Sequence, residues 1–293
     1  MDNRLPPLNS SLIFEIVRAM NLPQNKLTQE IIHLIFGRAI FRFSKLALEL
    51  DHQVEQHGSM IGARWLLPHF VSGHETSGTE LIPKEGPLII ASNHPASYDG
   101  LVVAAHISRS DFKIIIGEIP PYRHLPNISR HVIFSPQVKN TFGRMQTVRN
   151  AIRHLKDGRA LLIFPRGNIE PDPAFMPNPD AEFHLWSRSL EIFLRSVPQT
   201  RVLVTAVSGV ISRQAFCHPI TWFRQSRPDR QRLAFMYQII CQALSGKELF
   251  GLQARVTFGE LLISASHETT LAEIEQAAAR TMAKHLLLER DCR

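Results

Sequence analysis

Apolar residues recur at helical spacing in the first fifty residues and gather into short runs after residue 76. The first pattern predicts two helices, over 10–21 and 27–52, because the segment 22–25 breaks the helical period. The second pattern, short apolar runs alternating with helical stretches, is typical of an α/β domain. The predicted strands are 87–91, 112–116, 131–134, 160–164, 201–207 and 254–258. The helices predicted with them are 99–108, 141–156, 182–195, 230–244 and 268–290.

These elements predict an α/β fold with a mixed central sheet flanked by helices and preceded by an N-terminal amphipathic helical pair. We expect a helical region over 1–75 and an α/β domain over 76–293. In the helix 27–52 the polar residues form one stripe, and the apolar arc is wider than a surface helix needs. This helix either packs against the main domain or lies in a membrane interface with its basic face toward lipid headgroups. The polar stripe consists of Arg38, Arg42, Lys45, Glu49 and His52.

Composition excludes several classes of protein. With 44% hydrophobic and 20% charged residues the chain of 293 residues is not a disordered protein. Lys and Arg outnumber Asp and Glu by 33 to 26, so the net charge of +7 favours a polyanionic partner such as an anionic membrane or an acidic carrier protein. A nucleic-acid partner is not expected, because the basic residues are dispersed without interleaved aromatics. The scattered histidines predict no metal site.

Two further absences concern location. No run of about 18 apolar residues predicts a spanning helix, so we expect any membrane contact to be peripheral. The first residues lack the basic and apolar regions of a signal peptide, and Cys217, Cys241 and Cys292 form no CxxC pair. We therefore expect a reducing compartment.

A histidine and an aspartate follow the first predicted strand. Pro95 disfavours helical backbone at His94, and the strand delivers the imidazole to the carboxyl edge of the sheet, where α/β sheets place their sites. A short turn can then bring Asp99 back against the ring. Such a pair holds one imidazole tautomer and leaves the other nitrogen free to accept a proton from a hydroxyl group. The alternative is a structural histidine that caps the turn.

The same spacing occurs a second time, at His106 and Asp111. With 14 histidines and 9 aspartates in 293 residues, chance alone gives about 0.4 such matches, so the bare spacing is a weak signal. This second pair follows a helix and precedes the next strand, at the sheet edge opposite His94. We interpret it as a solvated connection between helix and strand.

A second candidate block, Phe164-Pro165-Arg166-Gly167, begins at the last residue of the predicted strand 160–164. Gly167 allows the backbone to approach a ligand, and the Arg166 guanidinium matches a phosphate or carboxylate. Alternatively, Arg166 caps the sheet end or pairs with Glu170. Phe164, an aromatic residue on a strand, is expected in the core.

Together, Asn93-His94 with Asp99 and Phe164-Pro165-Arg166-Gly167 resemble the N-H-x4-D and F-P-E-G blocks of the glycerophospholipid and lysophospholipid acyltransferases of the 1-acylglycerol-3-phosphate acyltransferase type. Weaker likenesses at 204–207 and 256–260 extend the resemblance over about residues 76–265. The N-terminal helices resemble that family's membrane-docking pair.

The resemblance implies transfer of a fatty acyl group from acyl-CoA or acyl carrier protein to a lipid hydroxyl, without an acyl-enzyme. It implies that His94 is the general base and Asp99 its orienting partner, with no cofactor besides the acyl donor. Substrate binding would fall to Asn93, Arg166, Gly167 and Asn168. The protein would work peripherally, on the cytoplasmic face of a membrane.

This chain departs from the family's pattern in the second block. Arg166, Asn168 and Ile169 stand where the family has Glu, Thr and Arg. The family's arginine block after the third strand is not evident, and only Lys139 and Arg144 lie near its place. Two other functions therefore stay open, a non-catalytic lipid- or acyl-binding relative and a thioesterase.

Overall fold

The computed structural model describes residues 2–20, 22–136, 140–263 and 269–290, so Lys139, Cys292 and the first residue of the predicted helix 268–290 lie outside the described residues. The helices are α1 Leu5–Ala19, α2 Lys26–His57, α3 Ser59–Leu66, α4 Asp99–Ala104, α5 Pro126–Ser129, α6 Thr141–Lys156, α7 Ser189–Ser196, α8 Arg213–Cys217, α9 Arg227–Ser245 and α10 Leu271–Arg290. The strands are β1 Gly73–Ser77, β2 Leu88–Ser92, β3 Lys113–Gly117, β4 Val132–Ser135, β5 Ala160–Ile163, β6 Arg201–Ser208 and β7 Gln253–Leu262.

The strands form one sheet in the order β1-β7-β6-β2-β5-β3-β4. Only the β6–β7 pairing is antiparallel in the described sheet, which confirms the predicted mixed sheet with flanking helices. β2 lies between β5 and β6 and runs parallel to both. The segments that leave these three strands therefore meet at one edge of the sheet, in agreement with the expected place of the site.

The two faces of β2 belong to two separate cores. Leu88 and Ile90 pack with residues of α2, α3, α4 and α9, whereas Ile89 and Ala91 pack with residues of α6, α7 and α10. All five residues of β2 are buried, as expected for a central strand covered by helices on both sides. This burial fixes the direction in which β2 presents the turn that follows it.

All six predicted strands are present, but one strand, β1, and three short helices, α3, α5 and α8, were missed. β1, with the sequence GHETS, is a polar edge strand, so it carries no apolar signal. α3 follows α2 after a single glycine, Gly58, whose φ of +84° ends α2. The predicted helix 182–195 is too long, because a 3₁₀ turn over Phe183–Leu185 precedes the shorter α7.

Packing against the main domain is confirmed for one end of α2, and the membrane-interface interpretation stays a prediction. Near its end, Leu50 and Val54 join the main core. Near its start, four apolar side chains of α2 are exposed to solvent. They are Leu27, Ile31, Leu34 and Ile35. Throughout the described ranges, no helix combines the length and the apolar content needed to cross a bilayer.

Candidate active site

Asn93 fastens the end of β2 to the neighbouring strand β6. Its Nδ2 donates to the carbonyl oxygen of Val207 at 2.9 Å, and its Oδ1 accepts from the Val207 N–H at 2.7 Å. The side chain is buried, and the backbone of β6 occupies both ends of its amide. Asn93 was expected among the substrate-binding residues. In the structure its side chain instead fixes the position of the His94 turn against β6.

The turn after Asn93 brings His94 and Asp99 together. The His94 Nδ1 donates to the Asp99 Oδ2 at 2.8 Å. The carboxylate also accepts the Ala96 N–H at Oδ2 and the Gly100 N–H at Oδ1, at 3.1 and 2.8 Å. Because Asp99 is fully buried and held by these bonds, it fixes the imidazole tautomer with the proton on Nδ1.

The second ring nitrogen of His94 remains accessible. The side chain is 24% exposed, and within the described residues no protein group bonds its Nε2. Burial lowers the pKa of His94, but the charge of Asp99, its hydrogen bond and the charge of Glu170 outweigh burial, so the net pKa lies above its usual 6.5. The result is a more basic imidazole with a free acceptor nitrogen.

Phe164 takes a position that the sequence interpretation missed. Its ring stacks on the His94 ring with centroids 4.4 Å apart and planes 25° apart. The other side of Phe164 packs against the main core, so the expected core position describes only part of its role. Stacking and the bond to Asp99 together restrict the orientation of the imidazole.

Glu170 is a further member of the site that the sequence analysis did not assign. Its Oε2 accepts the backbone N–H of His94 at 2.9 Å, and its own N–H donates to the His94 carbonyl at 2.8 Å. The Oε1 accepts the Trp186 indole N–H at 3.0 Å. Burial raises the pKa of Glu170 to about 7. Glu170 therefore couples the Pro-rich loop 165–181 to the His94 turn.

Arg166 pairs with Glu182, not with Glu170 as one alternative predicted. The Arg166 Nε donates to Glu182 Oε2 at 3.1 Å. Gly167 has φ of +63°, a conformation that glycine adopts without strain. Asn168 accepts the Ile169 N–H at 2.9 Å and a bond from the Arg232 guanidinium. The predicted residues of this block are thus brought to the same edge as His94.

Helix α9 completes the site from a distant part of the sequence. The Gln231 side chain donates to the carbonyls of Pro95 at 2.6 Å and Glu170 at 2.7 Å. Arg227 donates to the Ile169 carbonyl at 3.0 Å and to Glu182 at 2.5 Å. Arg232 lies close enough for its charge to oppose protonation of His94. No local motif marks these residues, and they follow His94 by more than 130 positions.

A second buried carboxylate, two residues after Glu170, holds the same loop. Asp172 accepts the backbone N–H groups of Gly209, Val210 and Ile211 at 2.9, 2.9 and 3.0 Å. These three residues follow β6, so Asp172 attaches the loop to the third strand of the site. The repeated acid-proline pairs in Glu170-Pro171-Asp172-Pro173 are the sequence signal that could have identified both anchors.

The second histidine-aspartate match has a different geometry. Asp111 pairs with Arg109 through two bonds of 2.9 and 2.6 Å. The His106 ring instead meets the edge of His74, with centroids 5.2 Å apart. In the part of the chain that the structure describes, no bond joins His106 to Asp111, and the His106 Nε2 is buried without a partner. This pair forms no catalytic dyad.

Comparison with known proteins places this geometry in context. Residues 73–198 match the family model described as Acyltransferase. A solved structure similar to this chain is the 1-acyl-sn-glycerophosphate acyltransferase PlsC from Thermotoga maritima, at 14% identity and a TM-score of 0.46, covering 99% of this chain and 97% of that one. No curated protein matches the chain. Over the described ranges, no three His, Cys, Asp or Glu side chains gather as a metal site.

Proposed function

We propose that this chain, in which residues 73–198 match the Acyltransferase family model, transfers a fatty acyl group from a thioester to a hydroxyl of a glycerolipid or lyso-lipid. The donor is acyl-CoA or acyl carrier protein. The observation that carries the proposal is the 2.8 Å bond between His94 and Asp99, with the other imidazole nitrogen accessible. The proposal involves no metal, further cofactor or nucleic acid.

His94 acts as the general base in the proposed reaction. Its Nε2 takes the proton of the acceptor hydroxyl as the oxygen attacks the thioester carbonyl carbon. The buried Asp99 carboxylate stabilises the imidazolium that forms, because the two groups are already hydrogen-bonded. The C–S bond then breaks, and the departing sulfur takes the proton from Nε2. The products are the acylated lipid and the free thiol, with no acyl-enzyme.

Three guanidinium groups near the His94 turn support a substrate with an anionic group. Three arginines, Arg166, Arg227 and Arg232, face two carboxylates, those of Glu182 and Asp229. Arginine guanidinium groups bind phosphate and carboxylate through paired donors. We propose that this cluster takes the role of the arginine blocks that the sequence lacks and binds a phosphate of the acceptor or donor.

A cavity in the helical layer offers a place for the acyl chain. It measures about 850 Å³ and opens between α2, α3 and α9. Its lining includes the aromatic residues Phe43, Trp65 and Phe70 and the basic residue Lys45. Phe70 stacks on Tyr98 with ring centroids 5.9 Å apart, and Tyr98 directly precedes Asp99. Apolar cavities of this size suit long acyl groups. Phe70 thus links the cavity wall to the residue that precedes Asp99.

We place the protein peripherally on the cytoplasmic face of a membrane. The exposed apolar side chains near the start of α2 support this location, because Leu27, Ile31 and Leu34 recur at helical spacing on one face. The net charge of +7 favours an anionic bilayer surface. The domain boundary between residues 75 and 76 remains a prediction.

The test is acyl transfer by the purified protein from labelled palmitoyl-CoA or palmitoyl acyl carrier protein to a panel of lyso-lipids. Acylated lipid is resolved from free fatty acid. We expect His94→Ala to lower the transfer rate by about 10²- to 10⁴-fold, the contribution of a general base. His106→Ala is the matched control and should retain the activity of the unmodified protein.

Other outcomes separate the remaining functions. Free fatty acid as the main product would assign the protein as a thioesterase, in which water replaces the lipid hydroxyl. Binding of lipid without turnover, unchanged in His94→Ala, would assign a non-catalytic relative. Either result would overturn the proposed transfer reaction.

A further inference from the structure

We propose that the loop carrying Trp222 and Phe223 inserts into an anionic lipid bilayer at the rim of the His94 site. The two neighbouring aromatic side chains are 68% and 87% exposed. Two adjacent large rings that are mostly in water indicate a surface that meets another apolar phase. The location deepens the proposed function and rests on it, since a lipid acceptor has to reach His94 from a membrane.

The loop is built to hold these rings outward. Thr221 is buried, and its hydroxyl donates to the carbonyls of Phe216 and His218, both at 2.9 Å. The backbone N–H of Trp222 donates to Pro219 at 3.0 Å, and that of Arg224 to Thr221 at 3.1 Å. The backbone around the rings is therefore fixed by its own hydrogen bonds, while the rings themselves project away.

A contact joins this loop to the N-terminal helices. The Arg224 guanidinium donates to the Met20 carbonyl at 3.0 Å, just past the end of α1. The exposed apolar residues Leu27 and Ile31, at the start of α2, follow Met20 by seven and eleven positions. Two segments about 200 residues apart in sequence thus lie side by side. Together they form the start of one membrane-facing surface.

Charge around the aromatic pair favours an anionic bilayer. Residues 213–232 contain five arginines and one aspartate, a balance of +4, against +7 for the whole chain. The basic residues are Arg213, Arg224, Arg227, Arg230 and Arg232. Trp and Phe inserted among headgroups, with arginines at the phosphate level, are the usual composition of interfacial anchors. The charge of an acidic protein would complement the arginines, but a polar acidic surface would offer the two aromatic rings no apolar environment.

The anchor is adjacent to the catalytic residues. Helix α9 begins at Arg227, four residues after Phe223. One turn further along α9, Gln231 contacts the Pro95 carbonyl in the His94 turn, and Arg232 contacts Asn168. Helix α9 therefore connects the Trp222–Phe223 loop to the turn that carries His94. A lipid hydroxyl would reach the imidazole without leaving the membrane surface.

The test compares two double variants in sedimentation with vesicles of equal parts phosphatidylcholine and phosphatidylglycerol. Trp222→Ser with Phe223→Ser removes the anchor. Ile192→Ser with Leu287→Ser is the matched control, since these side chains are 48% and 61% exposed on helices packed against the opposite face of the sheet. We expect the anchor variant to lose about 10- to 100-fold in vesicle affinity and the control to lose less than about 2-fold.

Transfer assays separate this inference from the proposed function. The anchor variant should lose transfer to a lyso-lipid embedded in vesicles and keep transfer to a short-chain acceptor dispersed in water. Unchanged vesicle binding by the anchor variant would overturn the inference. A variant that still binds vesicles but no longer binds acyl carrier protein would overturn it as well. Absence of transfer by the unmodified protein on both acceptors would refute the proposed function, while vesicle binding would still report on the anchor.

Discussion

Two histidines in this chain are each followed by an aspartate at the same spacing, yet the fold gives them opposite surroundings. His94 leaves the carboxyl end of β2 and meets Asp99 at 2.8 Å. His106 follows α4 near the opposite edge of the sheet, and its ring contacts the ring of His74. Asp111 forms an ion pair with Arg109. Spacing alone does not form a dyad.

The difference lies in the backbone that connects the two residues. After His94, a turn exposes the N–H groups of Ala96 and Gly100, and Asp99 folds back to accept them together with the imidazole. After His106, the backbone leads into β3, and Arg109 gathers the carbonyls of Gly86 and Gly158 at 2.7 and 2.8 Å. The first segment holds the His94 imidazole in the orientation of a general base. The second segment connects the amino ends of β2 and β5 through Arg109.

The contrast between the two pairs is tested most directly by replacing each aspartate, Asp99 or Asp111, by asparagine in a separate variant. Asp99→Asn should lower the rate of acyl transfer by about 10²- to 10⁴-fold, because the imidazolium loses its counter-charge and the tautomer is no longer fixed. Asp111→Asn should leave the rate within about 2-fold and reduce thermal stability instead, since Arg109 is buried and loses its carboxylate partner. Transfer kinetics and melting curves of both variants decide the matter. Equal rates in the two variants would contradict the assignment.

A smaller effect is expected at Glu170, which has no counterpart near His106. Glu170→Gln should lower transfer by about 10-fold, because a glutamine cannot accept from both the His94 N–H and the Trp186 indole without rearrangement. The charge of Glu170 raises the pKa of His94, so its removal should shift the acid limb of the pH–rate profile to lower pH. A fall in rate with an unmoved acid limb would make Glu170 a packing residue only.

The smallest expected effect concerns stability against pH. Burial lowers the pKa of His106 to about 4, below its ordinary value of 6.5. The unfolded chain then binds more protons between these values, so His106 makes the protein less stable as pH falls from 6.5 to 4. His106→Gln should reduce this loss, measured as a change of about 1 to 3 °C in the melting temperature at pH 5.

His94 provides the control with the opposite sign. Its pKa is raised, so its stabilising contribution is present below pH 6.5 and is lost as pH rises through the folded pKa. His94→Ala should therefore be most destabilising at low pH. Melting curves in which both variants respond to pH in the same direction would contradict the contrast between the two sites.

Part of the site was accessible to sequence reasoning. Apolar strands at β2 and β5 were predictable from their runs of Leu, Ile and Ala, and each run ends where a chemically distinctive segment begins. Pro95 made a helix at His94 unfavourable, so the pairing with Asp99 was predictable as well. The weak points were polar and short elements. β1 lacks an apolar pattern, and the acid-proline pairs that begin at Glu170 were not recognised as anchors.

The sequence by itself determined that two apolar strands carry His94 and Arg166 to one edge of an α/β sheet, because burial demands those strands and proline shapes the turn. Only the tertiary structure decided which histidine meets its aspartate, which carboxylate binds Arg166 and how α9 closes the site. The reason is physical. Hydrogen bonding, loss of water and nearby charge depend on groups that arrive from distant segments, and local sequence does not encode their approach.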